Sequence, residues 1–160
     1  LQRAVEASAF RPDVFGIEIP VGAQVFWEPE SLVSTWLVLQ RPSYFSPGQL
    51  AGQMFNQQTA KEGKRREERM LPLLRESIAC QNDELPLDER KRCRISNSAL
   101  ARACSPRAGG GPDFLVLPYP QAQTAAGNWA VRDPGTSKLL TTFRIYRCRE
   151  ITPGVPVHVP

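Results

Sequence analysis

The spacing of apolar residues changes character along this chain and divides it into three stretches. Before residue 46 the apolar runs are short and lie between prolines and glycines. Val14, Phe15, Ile17 and Ile19 sit between Pro12 and Pro20, Val25-Phe26-Trp27 follows Val21-Gly22-Ala23, and residues 35–40 run up to Arg41-Pro42. Brief β-branched and aromatic runs with such punctuation predict strands, two or three of them pairing antiparallel.

From about 46 to 104 the pattern predicts helices. Ser46-Pro47-Gly48-Gln49 carries a helix start, with Ser as N-cap and Pro in the first turn. Leu50, Met54 and Phe55 share one helical face, and Leu71, Leu74 and Ile78 continue an apolar stripe after the charge-dense residues 61–69. Gly63 and Pro72 interrupt this run. An interior proline removes a hydrogen bond and costs about 3 kcal/mol, so a kink or break is expected near residues 68–72. Short helices are expected over 87–94 and 96–104.

Residues 105–113 hold three consecutive glycines between prolines and form a loop. Residues 114–151 return to β structure. Phe114 to Leu117 reads as a buried strand, while 129–132 and 138–148 flank Asp133-Pro134-Gly135, which predicts a hairpin. Thr141, Phe143 and Ile145 fall on one face of its second strand, and Arg144 and Tyr146 on the other. Residues 152–160 form an extended tail. The expectation is one α+β domain with N-terminal antiparallel strands, a helical middle and a C-terminal β-hairpin in the same sheet or core. The 160 residues suit a single domain that buries roughly two-thirds of its unfolded surface.

The four cysteines, Cys80, Cys93, Cys104 and Cys148, narrow the compartment. None lies within the two to four residues of another that a structural zinc site uses, and His158 is the only histidine. Two disulfides fit better, and four cysteines allow three pairings. If the helices on either side of residues 82–86 turn back on each other, Cys80 meets Cys93 and Cys104 is left for Cys148. Disulfides indicate a periplasmic or secreted protein. A start at Leu1 fits a removed leader without establishing one, and no apolar run approaches the ~20 residues of a spanning helix.

The net charge of +4 is modest and mostly interleaved, unlike the clustered surplus of a dedicated nucleic-acid binder. Two clusters stand out: Arg90, Lys91, Arg92 and Arg94, and the late-strand Arg144, Arg147 and Arg149. If their faces coincide, they could bind an anionic partner. Otherwise they are surface charges, as Lys64, Arg65, Arg66 and Arg69 are beside Glu62, Glu67 and Glu68.

Catalytic sets are not evident. Gly109 to Gly111 is followed by Pro112 rather than the Lys-Ser/Thr of a phosphate loop. The pairs Glu28/Glu30, Glu67/Glu68 and Asp83/Glu84 read as solvated charges, and Asp113 lacks the follow-on acid-x-Lys on an adjacent strand that a nuclease metal site uses. The expected function is therefore a non-enzymatic protein-binding domain, without cofactor or metal, such as a subunit of an envelope or secretion assembly. Two alternatives are an enzyme or toxin acting on nucleic acid through the late-strand arginines, and a small-ligand binding module. Trp27, Trp36, Trp129, Tyr44, Tyr119 and Tyr146 are candidate partner anchors if exposed, and core residues if not.

Overall fold

The computed structural model describes residues 1–28, 34–46, 48, 56–81, 86, 92–106 and 110–151. It consists of α1 (Gln2–Glu6), β1 (Val25–Trp27), a turn of π-helix (Ser34–Val38), α2 (Gln57–Cys80), α3 (Asn97–Cys104), β2 (Phe114–Leu117), β3 (Gly127–Arg132) and β4 (Leu139–Arg147), followed by a 3-10 turn (Cys148–Glu150). The α+β class and the hairpin strand's place in the common sheet are as the sequence indicates.

The four strands lie in the order β1-β2-β4-β3. β2 is antiparallel to β4 and β4 to β3, but β1 runs parallel to β2, with Val25 beside Phe114 and Trp27 beside Val116. The expected N-terminal antiparallel pairing is therefore wrong. The helical middle is itself the crossover between β1 and β2, and a connection that long is what lets two strands run parallel. Residues 42–44 run along the outer edge of β1, where Val25 N–H donates to the Pro42 carbonyl at 2.9 Å and Tyr44 N–H to the Val25 carbonyl at 2.9 Å.

Two other expected strands are not strands. Residues 14–17 turn and bend, because Gly16 takes a φ of 68° and donates its N–H to the Asp13 carbonyl at 2.8 Å, and residues 18 and 19 follow without regular structure. Phe15 and Ile19 are nevertheless buried, as their apolar character requires. Residues 35–40 coil into the π turn, with Leu39 N–H on the Ser34 carbonyl at 3.4 Å, and the turn ends at Gln40 with a φ of 54°. The Arg41 guanidinium pins the exit by donating to the carbonyls of Ile19, Leu39 and Gln40.

Strand alternation sorts the apolar side chains into two cores, one on each face of the sheet. Phe26, Leu115, Leu117 and Tyr146 face α2 and α3, meeting Met70, Leu73, Ala99, Leu100 and Ala103. Val25, Trp27, Phe114, Val116, Phe143 and Ile145 face the N-terminal layer, meeting Ala4, Val5, Phe15, Ile19, Val38 and Leu39.

Helix α2 passes Gly63 and Pro72 without a break, contrary to expectation. Pro72 has no N–H for the Glu68 carbonyl, and Arg102 Nη2 of α3 donates to that carbonyl at 3.5 Å instead. The helix is capped by Asn56, whose side chain accepts from the N–H groups of Gln58 and Thr59. Its buried residues are Gly63, Met70, Leu73, Ser77 and Cys80, whereas Ile78 is 67% exposed. The buried stripe is thus rotated by one residue from the expected Leu71, Leu74 and Ile78. Ser77 enters it because Glu28, itself buried, accepts its hydroxyl proton at 2.7 Å. The helix start read at Ser46 to Gln49, the short helix over 87–94 and the tail 152–160 lie largely or wholly outside the described residues.

Both disulfides pair as the helical-hairpin geometry favours: Cys80 with Cys93 (Cα–Cα 5.7 Å) and Cys104 with Cys148 (Cα–Cα 4.9 Å). They consume all four cysteines, leaving none for zinc. In the chain-entropy model, closing their loops stabilises by about 3 and about 4 kcal/mol respectively. Intact-mass measurement after alkylation in denaturant is expected to show no labelled thiol before reduction. The Cys104→Ala/Cys148→Ala variant should lose more stability in urea than the Cys80→Ala/Cys93→Ala variant. The reverse order would mean that loop length does not set the effect.

Candidate functional site

The aromatic candidates separate by burial. Trp27 is buried and packs edge-on against Phe15, Trp129 and Phe143, with ring centroids 5.2–6.0 Å away. Tyr44, Tyr119 and Tyr146 are buried as well. Trp36 is the exception, at 50% exposure, and beside it stand Leu37 at 40% and Phe10 at 68%. Phe10 N–H donates to the Leu37 carbonyl at 2.6 Å, so the turn after α1 and the π turn form one double-looped tip. Phe10 holds a left-handed φ of 62°, unusual for a bulky residue and a position where strain often accompanies function. Nothing in the spacing of residues 34–40 distinguishes Trp36 from its buried neighbours. The π geometry puts it outward.

Among the described residues, the basic candidates do not form one face. Arg144 and Arg147 are three apart on β4 and point to opposite sides of the sheet. Arg144 donates to the carbonyls of Pro118 (3.2 Å) and Thr142 (3.0 Å). With Arg94 it lies near the Tyr146 hydroxyl, whose pKa is raised by burial and partly lowered by the Gln121 N–H and these two arginines. Arg92 and Arg94 are exposed, and Arg90 and Lys91 lie outside the described residues.

Arg147 and Arg149 instead line an open groove of about 1660 Å³ at the start of β2, together with Arg102. The Cys104–Cys148 bridge and Phe114 form apolar parts of its lining, and Gly110 and Gly111 also line it. The triple-glycine loop is thus more than a connector. A Cβ on Gly111 would stand 2.6 Å from the Ala103 carbonyl, and Gly110 takes a φ of 79°. Tyr44 holds the loop by donating its hydroxyl proton to the Gly110 carbonyl at 3.1 Å. Tyr44 is held in turn by Arg66, which lies 4.9 Å over its ring and donates to its carbonyl at 2.7 Å.

Among the carboxylates, Glu28 is not a solvated charge as expected. It is buried, and its Oε1 accepts from Ser77 Oγ at 2.7 Å and Gln81 Nε2 at 2.8 Å. Asp113 is structural, with its Oδ2 accepting the Gln24 N–H at 2.7 Å and its carbonyl the Cys148 N–H at 2.9 Å. Glu67 and Glu68 are exposed. Asp83, Glu84, Glu30 and His158 lie outside the described residues. Among the described residues, no three His, Cys, Asp or Glu side chains are grouped to hold a metal ion.

No protein-family model, curated protein or solved structure matches the chain.

Glu62 supports the Tyr44 cluster by accepting from both Arg65 and Arg66, and these two hydrogen bonds bring its pKa down to about 2. A depressed carboxylate pKa stabilises the fold above the ordinary value, and this contribution fades as pH falls from near 4.5 through about 2. Because Glu62 is 40% exposed, the effect is that of a surface pair, about 0.5 kcal/mol. Carboxyl NMR titration should place the Glu62 midpoint near 2, and Arg65→Ala should raise it. A midpoint near 4.5 in the wild type would refute the pairing.

Proposed function

We propose that the chain is a non-enzymatic protein-binding domain of the periplasm or the extracellular space, with the Phe10–Trp36–Leu37 tip as the anchor for its partner. The observation that carries this reading is the exposure of Trp36 in a domain that buries its other aromatic anchors wholly or in part. Exposed tryptophan beside other exposed apolar side chains marks interaction sites, and tryptophan is the residue type most enriched among binding hot spots. The tip's backbone is internally bonded at Phe10, Leu39 and Arg41, so covering it with a partner would strand few polar groups. The paired cysteines favour an oxidising compartment, and no helix among the described residues is long and apolar enough to cross a membrane.

The tip is an anchor rather than a whole interface. Fully buried aromatic side chains contribute about 150–250 Å² each, and a stable complex needs about 800 Å² per partner. Flanking contacts must therefore come from the partner's reach over the N-terminal layer, consistent with a subunit held in an assembly. A nucleic-acid reading is disfavoured because its arginines divide between two faces. A small-ligand reading is disfavoured because Trp27 and Trp129 fill a core instead of lining a pocket.

A photo-crosslinking side chain at position 36 should give one dominant adduct in extracellular or periplasmic extract, and the same group at exposed position 138 should not. The Phe10→Ser/Trp36→Ser variant is expected to fold normally and to bind the adduct partner at least tenfold more weakly. Equal labelling from both positions, or undiminished binding, would rule the anchor out.

A further inference from the structure

The groove beside the Cys104–Cys148 bridge is separate from the tip, and its size and charge restrict what it can hold. Small-molecule clefts run to roughly 300–1,000 Å³ and enclose their ligands. This groove is open and measures about 1660 Å³, which suits a length of polypeptide. Its charged lining is three arginines against two carboxylates, Glu18 and Asp113, the latter already bonded to the Gln24 N–H. Arg102 comes from α3, and Arg147 and Arg149 from the end of β4 and the turn after it, while Glu18 stands on the segment before Pro20. Apolar contact is offered by Pro20, Ala101 and Pro106, which are exposed or half-buried, while the disulfide, Phe114 and Ile151 lie buried beneath them.

The three guanidiniums are only loosely engaged within the chain. Arg147 and Arg149 share the Glu150 carboxylate at 3.4 and 4.0 Å, and Arg102 reaches the Glu68 carbonyl at 3.5 Å. Each guanidinium carries five N–H donors in a fork that matches a carboxylate, so contacts this long leave capacity for an incoming acid. A nucleic acid would fit less well, since a continuous phosphate backbone would pass Glu18, Asp113 and Glu150 as well as the arginines.

We propose that this groove binds an extended acidic peptide segment of a partner protein. Its carboxylates would take Arg102, Arg147 and Arg149, and its apolar side chains would lie on Pro20, Ala101 and Pro106. The site is distinct from the Trp36 anchor and stands or falls without it.

The experiment is selection of a displayed linear peptide library on the disulfide-intact protein, followed by anisotropy measurements on the enriched peptides. Enrichment of peptides with two or three acids separated by apolar residues is expected. Arg147→Glu/Arg149→Glu should weaken them at least tenfold and restore binding to versions carrying Lys in place of the acids. Arg149→Glu alone, at a side chain 79% exposed, supplies the same reading at smaller amplitude if the double variant misfolds. Trp36→Ala should leave these affinities unchanged, which separates this site from the anchor. Several results would overturn the proposal: no enriched sequence, enrichment of basic or uncharged peptides, or affinities indifferent to charge reversal. Tighter binding of a single-stranded RNA than of any peptide would overturn it too.

Discussion

Everything in this molecule is arranged around four residues that are buried on both faces and bonded along both edges. β2, Phe114 to Leu117, lies between β1 and β4 and sends alternate side chains into the two cores. Without it there is no sheet to separate the helical layer from the N-terminal one. Asp113 fixes where it begins by joining Gln24 on one side and Cys148 on the other. The same arrangement places the groove, because the start of β2 is also where α3, the glycine loop and the turn after β4 converge.

The helical layer tolerates features that would ordinarily disrupt it. Pro72 lies inside α2, and its cost is offset by burial of Met70 and Leu73 and by a guanidinium on the carbonyl that the proline cannot serve. A buried carboxylate also lies against that helix, and burying a charge without hydrogen bonds would be severely unfavourable. Ser77 and Gln81 provide those bonds, which is why a serine occupies a position where the stripe would otherwise take an aliphatic residue.

How much of this could be read in the sequence depended on the range of the deciding interaction. The hairpin was legible because Asp133, Pro134 and Gly135 act within a few residues, and Asp133 does cap the turn by accepting from Gly135 and Thr136. The cysteine pairing followed from one local argument about two helices folding back. The N-terminal stretch is legible as to which residues are apolar but not as to shape, since Phe15 is buried from a turn and Ile19 from an irregular segment. Whether a short apolar run extends or coils was settled by Gly16, Gln40 and contacts with Arg41. The parallel partner of β1 lies more than eighty residues away, and no local signal encodes it. The site was less legible still. Arg147 and Arg149 were named as candidates, but Arg102 joins them only through the packing of α3, and the outward turn of Trp36 depends on π geometry.

The placement of the two disulfides has a consequence for the order in which the protein comes apart. Cys80, Cys104 and Cys148 belong to the core on the helical side, and Cys93 packs against it, while the opposite core contains no cysteine. The N-terminal layer is therefore held by packing and hydrogen bonds alone. Regions with fewer constraints tend to open at lower free energy, so α1 and the segments up to Ile19 are expected to open before the disulfide-braced helices leave the sheet. Phe10 rides on those segments and Trp36 on the π turn packed beside them. Anything gripping both would clamp the layer shut, so a partner bound as proposed would also raise the amide-exchange protection of the N-terminal layer.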